Sequence, residues 1–267
     1  MCGTCGCSVT EGNRHLLEEG GKLASFGTVE VLKKLLEQND HVAAHNRQHF
    51  DTHQVLAINI MSSPGSGKTA LLEATIERLS SDYRIAVIEG DLETENDAER
   101  IRKHGVPAIQ IETGTACHLD AHLIHNALHQ LNLDELDIVF IENVGNLVCP
   151  ASFDLGQHFN VTLLSTTEGH DKPAKYPVIF RAADLMLISK NDLLEVLGDF
   201  DPDYAINCLR QLANPAPVIS LSAKTGEGIV DWQKWLIEKI DSQAKKMLNG
   251  ETRRPKIQPD GLKLHSA

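Results

Sequence analysis

The sequence predicts an α/β domain with a mostly parallel sheet and helices on both of its faces. Five near-continuous apolar runs are separated by segments with helical spacing, and such runs are typical of strands buried on both faces of a parallel sheet. This alternation implies βαβ crossovers. A loop rich in glycine and serine also joins the first run to a helical segment. The runs are "VLAINIM", "RIAVIEG", "DIVFIEN", "NVTLLST" and "DLMLISK".

Composition limits the class of protein further. The 267 residues suffice for one large domain or two smaller ones, and a hydrophobic content of 42% can form a sizeable core. The formal net charge of -12 argues against broad binding to nucleic acids or anionic membranes, because both require a basic surface. No apolar run approaches the roughly 18 residues of a membrane span, and no apolar secretory signal begins the sequence. Six cysteines are too sparse for a disulfide framework, so we expect a cytoplasmic protein.

Three regions are expected along the chain. Residues 1–27 resemble a flexible, cysteine-rich tail and linker, residues 28–248 form the α/β domain with a helix at its start, and residues 249–267 form a polar tail that we expect to be disordered. Later helical segments include Ala70–Leu79 and Cys117–Leu131. The stretch "PAPVISLSAKTGEG" supplies a last strand and turn, and "IVDWQKWLIEKIDSQAKKML" supplies a closing helix.

The most specific stretch is "SSPGSGKT", between the first predicted strand and a helix. It matches the Walker A pattern G-x-x-x-x-G-K-[ST], except that Ser62 replaces the first glycine. Its glycines let backbone N–H groups turn toward phosphate oxygens, and the helix N-terminus adds its dipole. A glycine–serine turn with a chance lysine is the alternative, but the strand–loop–helix context favours the phosphate loop of a P-loop NTPase. The expected nucleotide ligands are Gly65, Ser66, Gly67, Lys68, which would neutralise the β- and γ-phosphates, and Thr69, which would hold Mg²⁺.

Two later loops favour GTP over ATP. Guanine specificity in such folds usually comes from N-K-x-D after a late strand, and this chain has "SKND", with Ser189 in the first position. Asp192 would accept hydrogen bonds from the ring N–H and the exocyclic amine of guanine, and the stem of Lys190 would lie along the base. Ser222 and Ala223 in "LSAK" fit a loop whose backbone N–H meets guanine O6. An ordinary strand-end loop is the alternative for "SKND".

Carboxylates at strand ends are candidates for Mg²⁺ binding and catalysis. Glu142 ends the run "DIVFIE" in the manner of a Walker B strand, and the N–H of Gly145 would sense the γ-phosphate. Asp91 ends the second strand, at the sheet edge where ligands bind in these folds. Lys68, Asp91 and Glu142 are therefore the predicted catalytic residues, acting by positioning and electrostatics. Asp97 and Arg100 are weaker candidates, and a solvated helix face explains them equally well.

Several cysteines and histidines are candidate metal ligands. Cys117 and His118 are adjacent and Cys149 follows later; thiolate and imidazole suit Zn²⁺ and Ni²⁺, although buried structural cysteines are common. Two histidine stripes at helical spacing predict a solvated polar face, with an auxiliary metal site as the sharper alternative. The tail cysteines are Cys2, Cys5 and Cys7; the stripes are His41, His45, His49, His53 and His118, His122, His125, His129.

The tail cluster has C-x-x-C-x-C spacing and lacks the fourth ligand of a closed structural zinc site, although His15 is a further candidate ligand. A disulfide is disfavoured by the expected compartment. In "EGHDKPAKYP", Lys172 and Lys175 are candidates to reach a nucleotide across a dimer interface, and a solvated loop explains them equally well.

The chain resembles the HypB family of hydrogenase nickel-incorporation GTPases. The resemblance is carried by "SSPGSGKT", "EGDLET", "DAERI", "TGTACHLDAH", "ENVGNLVCP" and "EGHDKPAKYP", and the N-terminal "CGTCGC" is similar to the tail of some members. It implies a GTPase of the class that dimerises around nucleotide, cycling between GTP and GDP. It also implies a metal site at the dimer interface formed by Cys117, His118 and Cys149. For the tail, the residues themselves favour an exchange-competent Ni²⁺ site, because exposed thiolates bind such metals tightly and remain accessible to a partner.

The resemblance further implies delivery of nickel to the [NiFe]-hydrogenase large-subunit precursor, with HypA as partner and a SlyD-type isomerase as a further candidate. Alternatives are a related GTPase chaperone for urease or a cobalamin enzyme, a nickel or zinc buffer with a weak nucleotide site, and an ATP-dependent kinase-like enzyme. The thiol tail and the Cys-His…Cys trio favour nickel and hydrogenase over these.

Overall fold

Seven parallel strands form the central sheet in the computed structural model, which describes residues 28–91, 96–114 and 116–255. The strand order is β3-β2-β4-β1-β5-β6-β7, so β1 lies near the middle with β4 and β5 as its neighbours. The strands are β1 (Leu56–Met61), β2 (Ile85–Asp91), β3 (Ala108–Glu112), β4 (Ile138–Glu142), β5 (Phe159–Ser165), β6 (Leu185–Ser189) and β7 (Val218–Ser220).

Helices alternate with these strands and cover both faces of the sheet. They are α1 (Thr28–Thr52), α2 (Lys68–Leu79), α3 (Asn96–Arg102), α4 (Ala121–Leu128), α5 (Lys172–Lys175), α6 (Pro177–Ala182), α7 (Leu194–Leu197), α8 (Pro202–Gln211) and α9 (Ile229–Leu248). Among the described residues, no helix is both long enough and apolar enough to span a membrane.

The alternation of side chains along the strands divides the core into two layers. On one face, Ile58 and Phe140 pack in a cluster with residues of α2, α3 and α9. On the other face, Val139 and Ile141 pack with residues of α1 and α4, while the β6 end of that face packs with α6 and α8. Burial on both faces explains why the strands appear as continuous apolar runs in the sequence.

The predicted α/β fold is confirmed, with two local differences. Strand β3, "AIQIE", was not anticipated, because it is only partly buried and its apolar residues are interrupted by Gln110 and followed by Glu112. The helix predicted over Cys117–Leu131 begins only at Ala121. Asp120 caps it by accepting a hydrogen bond from the Leu123 N–H, so Cys117 and His118 lie in the preceding loop.

Helix α1 is bound to the domain by buried polar contacts. The Arg47 guanidinium contacts both carboxylate oxygens of Asp154 at 2.5 and 2.7 Å. The buried Asn46 amide donates to the carbonyls of Ala121 and Leu155 at 2.7 and 3.1 Å. Phe50 is fully buried in the cluster beneath α1 and α4. These contacts fix the orientation of α1 against α4.

The chain after α9 returns to the domain. Arg253 pairs with Asp184 at 2.5 Å, and its guanidinium lies 4.4 Å from the centre of the Phe159 ring. The disordered tail expected from residue 249 therefore does not include residues 249–255. Residues 1–27 and 256–267 lie outside the described part of the chain, and with them the predicted tail ligands Cys2, Cys5 and Cys7.

Candidate nucleotide and metal sites

The carboxyl end of β1 leads through the glycine-containing loop into the N-terminus of α2. Gly65 and Gly67 have φ of +71° and +96°, in the left-handed region that favours glycine. Gly67 immediately precedes the first residue of α2, so the loop ends where backbone N–H groups and the helix dipole point outward. This is the arrangement expected for phosphate binding.

Ser62 holds the centre of this loop. It is fully buried, and its Oγ accepts hydrogen bonds from the Ser66 hydroxyl and, at 3.2 Å, from Lys68 Nζ. The residue that replaces the first Walker A glycine therefore uses its side chain to hold the loop and its lysine together. Ser66 and Lys68 are themselves buried.

Two carboxylates lie side by side behind the lysine. Glu89 and Glu142 are register partners on the adjacent strands β2 and β4. Lys68 Nζ lies 3.8 Å from Glu142 Oε1, and the Thr69 hydroxyl donates to the same oxygen at 3.1 Å. Burial raises the pKa of Glu142, while the Lys68 charge opposes this shift. Burial and the neighbouring Glu142 charge raise the pKa of Glu89 well above its ordinary value.

This acidic pair fits a bound divalent cation. Among the described residues, Glu89 Oε1 and Glu142 Oε2 are buried oxygens without a hydrogen-bond partner. Two buried carboxyl groups held together are electrostatically costly, and a cation relieves that cost. Together with the Thr69 hydroxyl they form an oxygen-only ligand set, which Mg²⁺ prefers.

A cavity of about 250 Å³ opens in front of these groups. Its lining includes the predicted residues Gly65, Lys68, Asp91, Glu142 and Gly145. Asp97 also lines it, whereas Arg100 bridges Asp97 and Glu73 at 2.9 and 2.6 Å. Arg100 therefore joins α3 to α2, and it is not one of the residues that line the cavity.

The base-recognition candidates lie beside the phosphate loop. The Ser189 hydroxyl donates to the Ser66 carbonyl at 2.7 Å, and Lys190 Nζ donates to the Gly65 carbonyl at 2.7 Å. Lys190 has a left-handed φ of +59°, which turns the chain sharply after β6. The serine in place of asparagine thus still links this loop to the phosphate loop.

The second base loop is joined to the first. The Asn191 N–H donates to the Leu221 carbonyl at 3.1 Å, immediately before Ser222. Ser222 is buried, and its Oγ accepts from the Thr225 N–H at 3.2 Å. Asp192 and Ala223 are partly exposed, as residues that contact a ligand would be. The "SKND" and "LSAK" segments therefore meet at one end of the sheet.

Cys117, His118 and Cys149 converge although 32 positions separate the two cysteines. The two Sγ atoms lie 3.0 Å apart, and His118 Nδ1 lies 3.6 Å from Cys117 Sγ. The potential ligand atoms of all three lie within 4.8 Å of one another. Phe153 stacks on the His118 ring at 3.9 Å, and burial lowers the pKa of His118, which favours the neutral imidazole that binds metals.

Asn143 connects the group formed by Cys117, His118 and Cys149, the Cys-His-Cys trio, to the cavity in front of the phosphate loop. It is fully buried and lines the cavity, and its Oδ1 accepts from the N–H of Leu119, two residues after Cys117. A Cβ on Gly145 would lie 2.8 Å from Pro64 Cα, so the segment leading to Cys149 packs closely on the phosphate loop. A Cβ on Gly90 would likewise meet the Leu119 side chain at 2.7 Å.

Sequence reasoning missed Glu89 and Asn143. A glutamate within the apolar run "RIAVIEG" signals a buried carboxylate that needs a partner, and this signal was available. No comparable signal marked Asn143, because its role depends on a loop that is distant in sequence. Lys172 and Lys175 lie on α5, where Lys175 pairs with Asp171 at 2.5 Å on the surface. Their proposed contact across a dimer stays a prediction.

A parallel sheet with a strand–loop–helix phosphate site, a buried lysine and facing carboxylates defines a P-loop nucleotide-binding protein. Residues 56–220 match the family model described as "CobW/HypB/UreG, nucleotide-binding domain". The chain is 51% identical over 214 residues to the hydrogenase maturation factor HypB of Azotobacter chroococcum, covering 80% of this chain and 70% of that protein. It is 52% identical over 208 residues to HypB of Escherichia coli, covering 78% and 71%.

A solved structure is also similar. The crystal structure of HypB from Helicobacter pylori in complex with nickel has a TM-score of 0.74 and 42% identity, covering 77% of this chain and 96% of that chain. The chain therefore belongs to the HypB family of hydrogenase maturation factors.

Proposed function

We propose that this chain is a GTPase that binds Ni²⁺ and uses the nucleotide to control its delivery to a [NiFe]-hydrogenase large-subunit precursor. One observation carries the proposal: the loop after β4, which leads to Cys149, contacts both the phosphate loop after β1 and the loop after β3 that carries Cys117 and His118. In that loop, Asn143 accepts a hydrogen bond from the Leu119 N–H, and Gly145 packs on Pro64 of the phosphate loop. Nucleotide binding would therefore change the metal affinity of the trio, and metal binding would change the nucleotide affinity by the same factor.

GTP is the proposed substrate because the two loops expected to recognise guanine, "SKND" and "LSAK", are fixed beside the phosphate loop. Ser189 and Lys190 fix the first loop on the phosphate loop, and the Asn191–Leu221 bond fixes the second on the first. Asp192 would then accept two hydrogen bonds from guanine. Adenine does not present those two donors in that arrangement, so ATP would bind more weakly.

The residues present also fit Mg²⁺. Thr69 and Glu142 would hold it, with Glu89 and Asp91 close by, and when bound it would offset charge on the β- and γ-phosphates. Lys68 would contribute further positive charge at the same oxygens, and the α2 N-terminus would donate backbone N–H groups. Asp91 would orient the water that attacks the γ-phosphate. The products would be GDP and inorganic phosphate.

Nickel is the proposed cargo. The Helicobacter pylori relative was crystallised in complex with nickel, and the donor set of two thiols and one imidazole suits Ni²⁺ and Zn²⁺ alike. We propose that GTP and metal favour a homodimer, that HypA and a SlyD-type isomerase cooperate in the cytoplasm, and that hydrolysis resets the cycle. The tail ligands Cys2, Cys5 and Cys7 would form a separate loading site.

The test is GTP hydrolysis by the purified full chain and by its Lys68→Ala variant. Loss of the buried ammonium should lower turnover on the order of 100-fold or more. Lys234→Ala is the matched control, because Lys234 is an exposed lysine on α9. ATP should compete poorly with GTP. Equal turnover of Lys68→Ala and the wild type, or preference for ATP, would overturn the proposal.

A further inference from the structure

We propose that His45, His49 and His125 form a second transition-metal site, separate from the Cys-His-Cys trio and on the α1–α4 surface. One potential ligand nitrogen from each of the three lies within 4.8 Å of the other two. In the part of the chain that the structure describes, this is one of two such groups of three potential ligands. It does not depend on nucleotide hydrolysis.

The three rings come from two helices. His45 and His49 are four residues apart on α1 and therefore share a face, and their ring centroids lie 4.5 Å apart. His125 on α4 faces them, with centroid distances of 5.1 Å to His45 and 6.0 Å to His49. A metal bound here would link α1 to α4. His45 is exposed and the other two are partly buried, so a metal can reach the site from solvent.

A hydrogen bond to Asn46 fixes the tautomer and the ring orientation of His125. The Asn46 amide NH₂ donates to two backbone carbonyls, so Asn46 Oδ1 is left to accept a hydrogen bond from His125 Nδ1 at 3.1 Å. The His125 proton therefore lies on Nδ1, and the lone pair lies on Nε2. Metal-binding histidines commonly donate their second N–H to such a partner, which fixes the tautomer and the ring orientation.

His129 supplies a candidate fourth ligand. Its Nε2 lies 3.2 Å from His125 Nε2. Two nitrogens on one tetrahedral Zn²⁺, each about 2.0–2.1 Å from the metal, lie roughly 3.3 Å apart. The observed spacing is compatible with a shared metal, and it is also that of an N–H···N hydrogen bond between the two rings. A cavity of about 240 Å³ opens beside these rings, lined partly by His49, His125 and His129.

Burial and the neighbouring imidazoles favour the neutral form of His49 and His125, which is the form that binds metals. Partial burial and neighbouring imidazoles lower the pKa of His49 and of His125. His53 is set apart, because its Nδ1 contacts Asp134 Oδ1 at 2.7 Å. An imidazole-only site suits Zn²⁺, Ni²⁺ and Cu²⁺ and does not suit Mg²⁺.

The test is Zn²⁺ titration of the full chain and of a His45→Ala/His49→Ala variant. Both changes are on α1, so they leave the Asn46–His125 bond intact, and alanine favours the helix. His41→Ala is the matched control, because His41 is exposed on the same helix one turn earlier and lies outside the cluster. Circular dichroism checks that each variant is folded.

We expect the wild type and His41→Ala to bind one more Zn²⁺ than the double variant. The single His45→Ala variant should bind this additional Zn²⁺ about tenfold more weakly, or weaker still. With Co²⁺, the same equivalent should show visible bands without thiolate charge transfer. Equal stoichiometry and affinity in all variants would show a hydrogen-bonded histidine cluster only. Thiolate charge transfer for every bound Co²⁺ would also overturn the proposal.

Discussion

At the scale of single residues, two serines stand where related motifs have glycine and asparagine. Ser62 accepts hydrogen bonds inside the phosphate loop, and Ser189 donates to the Ser66 carbonyl. Each hydroxyl therefore keeps a contact that positions a loop. Both serines thus contribute a side-chain hydrogen bond to the phosphate loop.

Ser189→Ala should weaken GTP binding, because it removes the hydrogen bond between the base loop and the phosphate loop. A net loss of about 1 kcal/mol is typical for such a bond and corresponds to roughly fivefold weaker affinity. Titration with a fluorescent GTP analogue measures this. Ser220→Ala, at an exposed position on β7, is the control and should bind like the wild type. An unchanged affinity for Ser189→Ala would contradict the role assigned to this serine.

His158 should make stability depend on pH. The Ala57 N–H donates to its Nδ1 at 3.0 Å, so the ring is neutral with its proton on Nε2, facing Asp51 at 3.1 Å. Burial lowers the pKa of His158, although Asp51 opposes this shift. Its contribution to stability is therefore fully present above about pH 6.5 and decreases below it, by at most about 1.4 kcal/mol per pH unit.

Urea unfolding at pH 7.5 and 5.5 tests this dependence against His158→Asn, in which the amide oxygen can still accept from Ala57. We expect the acid-induced loss of stability to be about 1 kcal/mol smaller in the variant. An equal loss in both proteins would assign the pH dependence to other groups.

At the scale of elements, α1 is an integral part of the domain. Arg47 is almost fully buried and pairs with Asp154 in the segment before β5, and Asn46 bonds to α4 and to the same segment. An unpaired buried carboxylate is costly, so removal of the Arg47 side chain should lower the free energy of unfolding of the whole domain.

Arg47→Ala should lower the free energy of unfolding by about 3 to 5 kcal/mol, because it leaves Asp154 without its partner. Urea unfolding monitored by tryptophan fluorescence measures the change. The exposed pair Lys234–Asp231 provides the control, and Lys234→Ala should have no measurable effect. A loss as small as that of the control would show that α1 is only loosely attached.

The sequence predicted the elements whose signals are local. Strands buried on both faces produce continuous apolar runs, so β1, β2, β4, β5 and β6 were found. The edge strand β7 was also predicted, whereas β3, whose run contains Gln110 and Glu112, was missed. The loop around Cys117 was assigned to a helix, because only the Asp120 cap marks where α4 begins. The phosphate loop was predictable because its chemistry is contiguous, whereas the Glu89–Glu142 pair depends on strand register and the Asn143 contact on tertiary packing.

At the scale of the whole molecule, the proposed function depends on coupling between the cavity beside the phosphate loop and the Cys-His-Cys trio. Asn143 contacts the Leu119 N–H on the metal side and lines the cavity on the other. Gly145 packs on Pro64 of the phosphate loop, four residues before Cys149. Movement at the γ-phosphate would therefore shift both segments that carry the proposed metal ligands.

Asn143→Ala should uncouple the two sites while each still binds its ligand. The change removes the bond to Leu119 and leaves the metal ligands in place. We expect the effect of a GTP analogue on Ni²⁺ affinity to fall to within about twofold. Thermal unfolding checks that the variant is folded, and coupling of wild-type size in the folded variant would assign the linkage to other contacts.

The most direct test is Ni²⁺ titration of the full chain with and without a non-hydrolysable GTP analogue, with the oligomeric state followed by light scattering. Cys149→Ser identifies the equivalent bound at the trio. We expect the analogue to tighten Ni²⁺ binding at the trio by at least about fivefold and to shift the protein toward a dimer. The same Ni²⁺ affinity and the same oligomeric state in both conditions would contradict the proposed coupling.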